Sequence, residues 1–134
     1  MIIGIGTDIV DLRRIEKIYD IHGERFLNKI YTVKEIEFIK SNKSKTIKRL
    51  ANRFAAKEAL YKSLNYHNKK KGLFWKDVET LNLNQNIPTL RIKQNVENIF
   101  VKNIPDKCSY KIHLTLSDEL KYAIAFVIIE AIPI

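Results

Sequence analysis

RFAAKEALYKSL, residues 53–64, reads as a helix with no clean solvent face. At 3.6 residues per turn, Phe54, Leu60, Tyr61 and Leu64 cover one broad arc and Ala55 and Ala59 another, with Glu58 and Lys62 between them. A helix apolar on two sides is covered on two sides. The pattern therefore predicts that these charges face a crevice or a subunit seam rather than bulk water. An ordinary i,i+4 ion pair, worth about 0.2–0.5 kcal/mol, is the simpler account, and the alanines beside the pair tip the balance toward the crevice.

On the N-terminal side, residues 2–10 read as a strand whose parity puts Ile3, Ile5, Thr7 and Ile9 on one face and Gly4, Gly6 and Asp8 on the other. Glycine weakens a strand unless something must approach its backbone closely, so a ligand or another chain is expected near Asp8. The plainer reading is a polar strand end. Asp11 is placed to cap a helix with apolar positions Leu12, Ile15, Ile18 and Tyr19, and Gly23 to stop it. Thr32 and Glu35 form a capping-box pattern opening a short helix through about Lys40. The central helix is expected over 47–64 and a charged loop over 65–72.

The second half reads as strand. Residues 74–83 and 89–93 are candidate strands, with Pro88 opening the latter, and 96–102 fits helix or strand equally. Over 110–117, Tyr110, Ile112, Leu114 and Leu116 alternate with Lys111, His113, Thr115 and Ser117, a polar row suited to a phosphate. After a turn at 118–121, YAIAFVIIE is a continuous apolar strand, expected to be central and paired with its predecessor as a hairpin. The class is α+β, an antiparallel sheet packed with helices.

With 134 residues the chain fits one domain, 1–134, yet is small for an enzyme that encloses a substrate alone, so help from a second subunit is expected. Its longest apolar run, 123–129, is far short of a membrane span. The start at Met1, Ile2 and Ile3 lacks a cationic leader, and Asp8 interrupts any signal core, so a cytoplasmic location is expected. The lone Cys108 excludes an intrachain disulfide framework and a cysteine metal cluster. A net charge of +9 favours an anionic partner. Its cations cluster at Arg13, Arg14 and Lys17, at Lys43, Lys45, Lys48 and Arg49, and at Lys69, Lys70 and Lys71.

Asp8 on a glycine-lined strand and Glu58 on a packed helix are the oxygen donors expected of a Mg2+ site that leaves room for water and substrate phosphates. Arg53, Lys57, Lys62, His113 and Thr115 would add the cationic and hydroxyl contacts a polyphosphate requires. Phosphoryl transfer is the reaction class that follows.

GIGTDIVDLRRIEKI at 4–18, RFAAKEALYKSL at 53–64 and HLTLSDELKYAIAFVIIE at 113–130 resemble, in order and spacing, the holo-acyl-carrier-protein synthases of the 4'-phosphopantetheinyl transferase superfamily. The resemblance covers nearly the whole chain. It implies transfer of the phosphopantetheine arm of coenzyme A to a serine of apo acyl carrier protein, releasing adenosine 3',5'-bisphosphate, in support of fatty acid biosynthesis. It further implies a homotrimer with active sites between subunits. By the same resemblance Asp8 and Glu58 hold Mg2+, and Lys62 orients a phosphate or shares in proton transfer. Arg53, His113 and Thr115 would face coenzyme A phosphates, and Arg14, with Arg13 and Lys17, would dock the acidic carrier. The chain departs from the family at Asn65, at Asn86 and Ile87 before Pro88, and at Asp118 after Ser117.

A nucleic-acid-binding module would explain the charge but not carboxylates on a glycine face and a packed helix. A docking domain for an acidic partner would make Glu58 and Lys62 a structural pair. A related transferase serving a polyketide or peptide assembly line is a third alternative. The partners expected are coenzyme A, an acidic acyl carrier protein and further copies of the chain, with neither nucleic acid nor membrane.

Overall fold

The computed structural model describes residues 1–64, 73–83 and 87–134. Strands β1 (Ile2–Asp11), β4 (Cys108–Glu119) and β5 (Tyr122–Pro133) form an antiparallel sheet in the order β1-β5-β4, and β2 (Val78–Asn82) pairs with β3 (Pro88–Ile92) in a second. The C-terminal hairpin and the central position of β5 agree with the sequence pattern. Ala123, Ala125, Val127, Ile129 and Ala131 alternate inward along β5 and are buried.

The long helix α4 (Thr46–Ser63) lies across that inner face. It approaches closely because both surfaces are small. A Cβ on Gly6 would collide with the carbonyl oxygen of Ala59, and one on Gly4 with that of Ser63. The glycine face of β1 thus accommodates the chain's own helix, where a ligand or a second chain was expected. Ala55, Ala56 and Ala59 are fully buried in the seam, where close packing leaves little room for larger side chains.

Helix α1 (Leu12–His22) is capped by Asp11, whose carboxylate accepts from Arg13 N at 2.9 Å, and ends at Gly23 with φ of 51°. Gly23 does not stop helical structure altogether. It opens α2 (Glu24–Ile30), unforeseen in the sequence, which buries Phe26, Leu27 and Ile30. In α3 (Val33–Lys40) the Thr32–Glu35 capping box forms as its pattern indicates. Of residues 74–83, the first part is a 3-10 turn at Trp75–Asp77, closed where Phe74 N donates to the Asp77 carboxylate at 2.7 Å, and the strand begins only at Val78. The ambiguous 96–102 segment resolves as helix α5 (Glu97–Val101). The expected 65–72 loop, with Lys69, Lys70, Lys71 and the departure at Asn65, lies outside the described residues, as does Asn86. Among the described residues no helix is long and apolar enough to cross a membrane.

Candidate active site

Alternation along β1 turns Asp8 inward, on the face that meets α4. The close contacts of Gly4 with Ser63 and of Gly6 with Ala59 show the strand and helix running in opposite senses. Two residues further, at about 3.3 Å rise per strand residue and 1.5 Å per helix residue, Asp8 comes level with about Ala55, less than one turn along α4 from Glu58. Lys62 reaches back across the seam, its Nζ 2.9 Å from Asp8 Oδ1. Lys62 therefore pairs with the strand carboxylate and not with Glu58 four residues before it. Glu58 is half-buried and has no hydrogen bond or ion pair among the described residues. The crevice expected around these charges is the seam between β1 and α4, open on one side.

Beside Glu58, residues Tyr61, Leu73, Phe74 and Trp75 close a recess of about 190 Å3. Arg53 lies five residues up α4, about 7–8 Å along the axis. It is 6% exposed and its guanidinium sits 4.1 Å from the Phe38 ring centroid. Burial pulls its pKa down to about 10, which leaves it charged at neutral pH. Its buried Nε has no hydrogen-bond partner among the described residues, and the residue lines a basic cleft of about 310 Å3 with Lys45, Lys48, Arg49 and Pro88.

Lys57, expected among the phosphate-facing cations, is elsewhere. It is fully buried, with Nζ 2.6 Å from Glu35 Oε1, 2.8 Å from the Ile30 carbonyl and 2.9 Å from the Trp75 carbonyl. Glu35 Oε2 in turn accepts from Thr80 N and from the Thr80 hydroxyl. A buried ammonium with three acceptors is satisfied internally and cannot also meet a substrate. The reason is geometric: position 57 projects toward α3 and the Trp75 turn, while its neighbour Glu58 projects toward the open seam.

His113 and Thr115 stand apart from Asp8. Thr115 pairs in register with Phe126 and His113 with Ile128, on the face of the sheet opposite α4. His113 Nε2 lies 2.8 Å from Glu130 Oε2, and this hydrogen bond lowers the Glu130 pKa. Around them the outer face is apolar: Ile5 is 56% exposed, Ile9 62% and Phe126 39%. One chain cannot bring His113 and Asp8 to the same ligand atom, because the sheet lies between them.

On α1, Arg14 and Lys17 are exposed and pair with no carboxylate among the described residues. Arg13 differs, its guanidinium forking onto Asp11 at 2.6–3.2 Å. Sequence reasoning also missed an apolar groove of about 480 Å3 between α1 and α2, floored by Ile18, Phe26 and Trp75 and edged by His22, Arg25 and Lys29. The signal was present in ERFLNKI, whose cations alternate with core residues, but the segment is short for a helix judged by periodicity. A larger cleft, about 750 Å3 between β3 and β4, contains only Lys111 of the polar row.

The profile of the 4'-phosphopantetheinyl transferase superfamily matches residues 4–127. The chain belongs to that superfamily. Over its full length it is 42% identical to a holo-[acyl-carrier-protein] synthase of Mesorhizobium japonicum, covering 96% of that protein. Its fold superposes on a holo-(acyl-carrier-protein) synthase of Bacillus anthracis, solved in complex with CoA (3',5'-ADP), with a TM-score of 0.78 and 31% identity over 98% of each chain. The Neisseria meningitidis holo-[acyl-carrier-protein] synthase gives a TM-score of 0.81 and 29% identity over 97% of this chain and 99% of that one.

For a phosphopantetheinyl transferase the donor set at the seam is chemically apt. Among the described residues no cluster of three or more His, Cys, Asp and Glu side chains forms. Two carboxylates, one with no competing partner, are a fitting protein contribution for a hard cation that takes its remaining oxygens from water and phosphate. Softer thiolate or imidazole sites are a poorer fit to these residues.

Proposed function

We propose that this chain transfers the 4'-phosphopantetheine arm of coenzyme A to a serine hydroxyl of apo acyl carrier protein, releasing adenosine 3',5'-bisphosphate, as a cytoplasmic, Mg2+-dependent enzyme of fatty acid biosynthesis. The observation that carries the reading is the full-length match to holo-[acyl-carrier-protein] synthases. Glu58, with no partner among the described residues, and the Asp8–Lys62 pair across the same seam add chemical support.

In the reaction the carrier's serine oxygen attacks the phosphorus that bears pantetheine. A P–O bond forms there as the bond to the adenosine-side phosphate breaks, and the bisphosphate leaves with the electron pair. No nucleophile of the enzyme's own is needed. Glu58, half-exposed and unpaired, takes the serine proton, a role suited to a carboxylate within reach of the reacting hydroxyl. Lys62 orients Asp8 and adds positive charge beside the diphosphate. Asp8 and Glu58 would hold Mg2+, which would supply divalent charge to offset the charge gathering on the leaving group. Arg53 and the basic cleft beside it would take the nucleotide end of coenzyme A.

His113 and Thr115 complete the phosphate contacts from a neighbouring copy. What supports this is their position on the opposite face of the sheet together with the exposed apolar surface around them. A closed ring of three copies would cover that face and give three equivalent sites. Arg14 and Lys17, with the basic-edged groove between α1 and α2, form the docking surface for an acidic carrier. Arg13 contributes through its hold on Asp11.

The test is release of adenosine 3',5'-bisphosphate from coenzyme A, followed by chromatography. Release that requires both apo carrier protein and Mg2+ is expected. Release without a carrier, or none with a folded apo carrier, would rule the reading out.

A further inference from the structure

The four cations of the basic cleft, Lys45, Lys48, Arg49 and Arg53, are held in different ways. Arg49 and Arg53 lie over the same Phe38 ring, at 4.0 and 4.1 Å from its centroid. Arg49 also donates to the Phe38 carbonyl at 2.6 Å and to the Ser41 hydroxyl at 2.9 Å. Among the described residues only Lys48 of the four forms an ion pair with a carboxylate, its Nζ 2.9 Å from Asp118 Oδ1. Asp118 stands near the tip of the β4–β5 hairpin, in register with Ala123, and is a position where the chain departs from the family pattern. The pair therefore sets a negative charge against one cation of a cleft that is otherwise positive.

Two residues lining the cleft each keep a buried polar atom without a hydrogen-bond partner among the described residues, Asn52 Oδ1 and Arg53 Nε. Buried groups left unsatisfied in this way are costly, and a polar ligand would relieve them. Coenzyme A carries a phosphomonoester on its ribose besides the diphosphate at which transfer occurs. That monoester holds about two negative charges at neutral pH. A phosphate entering the cleft must share Lys48 with Asp118 or displace it, and in either case it approaches a carboxylate of its own sign. We propose that Asp118 is a specificity-determining residue: by pairing with Lys48 it weakens the hold of the cleft on the ribose phosphate and so tempers how strongly the enzyme prefers a nucleotide that bears it. The proposal rests on the transferase reading above, in which this cleft takes the nucleotide end of coenzyme A. The same weakening applies to the product, because adenosine 3',5'-bisphosphate keeps the monoester after transfer and its release is eased.

The test is calorimetric binding of coenzyme A and of 3'-dephospho-coenzyme A, which lacks only the monoester, to the intact protein with Mg2+ and without carrier. Wild type, Asp118→Asn, Lys48→Met and the double variant are compared, each with a melting curve. Asp118→Asn should bind coenzyme A about two- to fivefold more tightly, the worth of an exposed ion pair, and the dephospho form as the wild type does. Lys48→Met leaves the carboxylate unpaired and should weaken coenzyme A by a similar factor, again without effect on the dephospho form. The double variant should return toward the wild type, since it removes one charge of each sign. A pair that only tethers the hairpin to α4 would lower the melting temperature of both single variants and leave the ratio between the two nucleotides unchanged. That result would overturn the proposal. So would weaker coenzyme A binding by Asp118→Asn, which would make the carboxylate a ligand contact, or a double variant as weak as Lys48→Met. Each of these leaves the transferase reading standing. A wild type that neither binds nor turns over coenzyme A would remove that reading and the proposal with it.

Discussion

Lys62 places its ammonium 2.9 Å from Asp8 Oδ1, one helical turn beyond a Glu58 that has no partner among the described residues. The two charges of α4 are thus divided: one stabilises the strand carboxylate and the other is available to chemistry. Replacing Glu58 by Gln removes no hydrogen bond among the described residues, so its melting temperature should stay within about 1 °C of wild type. Transfer should fall about 10²–10⁴-fold, the usual contribution of a positioned proton acceptor. A variant that melts normally and transfers normally would assign Glu58 no role in the reaction.

Lys57 and Glu35 are both fully buried, 2.6 Å apart, and connect α4 to α3. Burial pushes the Lys57 pKa down, and Glu35 beside it opposes that shift. Lys57→Met leaves the Glu35 carboxylate buried without its cation and should cost about 3–5 kcal/mol in urea unfolding. The double variant Lys57→Met with Glu35→Leu should recover part of that loss, since a buried pair is often replaceable by hydrocarbon. Equal destabilisation by the single and double changes would contradict an uncompensated charge as the cause.

Sequence pattern exposed the outline of this fold because its strongest signals are local. Asp11 and the Thr32–Glu35 box are caps that act within one turn, and the alternations in β4 and β5 report which face is inside. Partners distant in sequence left no such signal. Gly4 and Gly6 plainly mark a close approach, but only the tertiary structure identifies α4 as what approaches. Lys57 looks like Lys62 on paper, both cationic and on the same helix, yet only Lys62 shares a helical stripe with Glu58. Five residues of helical rotation separate a buried structural ammonium from one at the seam. For His113 and Thr115 the alternation correctly grouped them in a polar row, yet it could not say that this row and Asp8 lie on opposite faces of one sheet.

The Asp11 carboxylate is lowered from 3.8 to about 2, chiefly by its hydrogen bond from the Arg13 side chain. A folded value below the unfolded one gives stability that is complete above the unfolded value and lost as pH falls through the folded one. The melting difference between wild type and Asp11→Ala should therefore be constant at about pH 5–7 and shrink between about pH 4 and pH 2. A difference that persists undiminished across that window would mean that the cap does not act through its charge.

If each site takes Asp8 from one copy and His113 from the next, two inactive variants can repair each other. Asp8→Asn and His113→Ala, unfolded together, mixed equally and refolded, should regain on the order of a quarter of wild-type activity, the share of sites with both intact halves in a randomly mixed ring. Mixing that restores nothing, with size-exclusion chromatography showing mixed assemblies, would place both residues in the same copy's work or His113 outside the reaction.

The central claim is group transfer to a carrier, and intact mass spectrometry of the carrier reads it without intermediaries. Apo acyl carrier protein is incubated with this protein, coenzyme A and Mg2+, beside parallel reactions containing a chelator or the Asp8→Asn variant. A gain of one phosphopantetheine mass, abolished by replacing the carrier's acceptor serine and suppressed in both parallel reactions, is the predicted result. A carrier that keeps its apo mass with the folded wild-type protein would contradict the account.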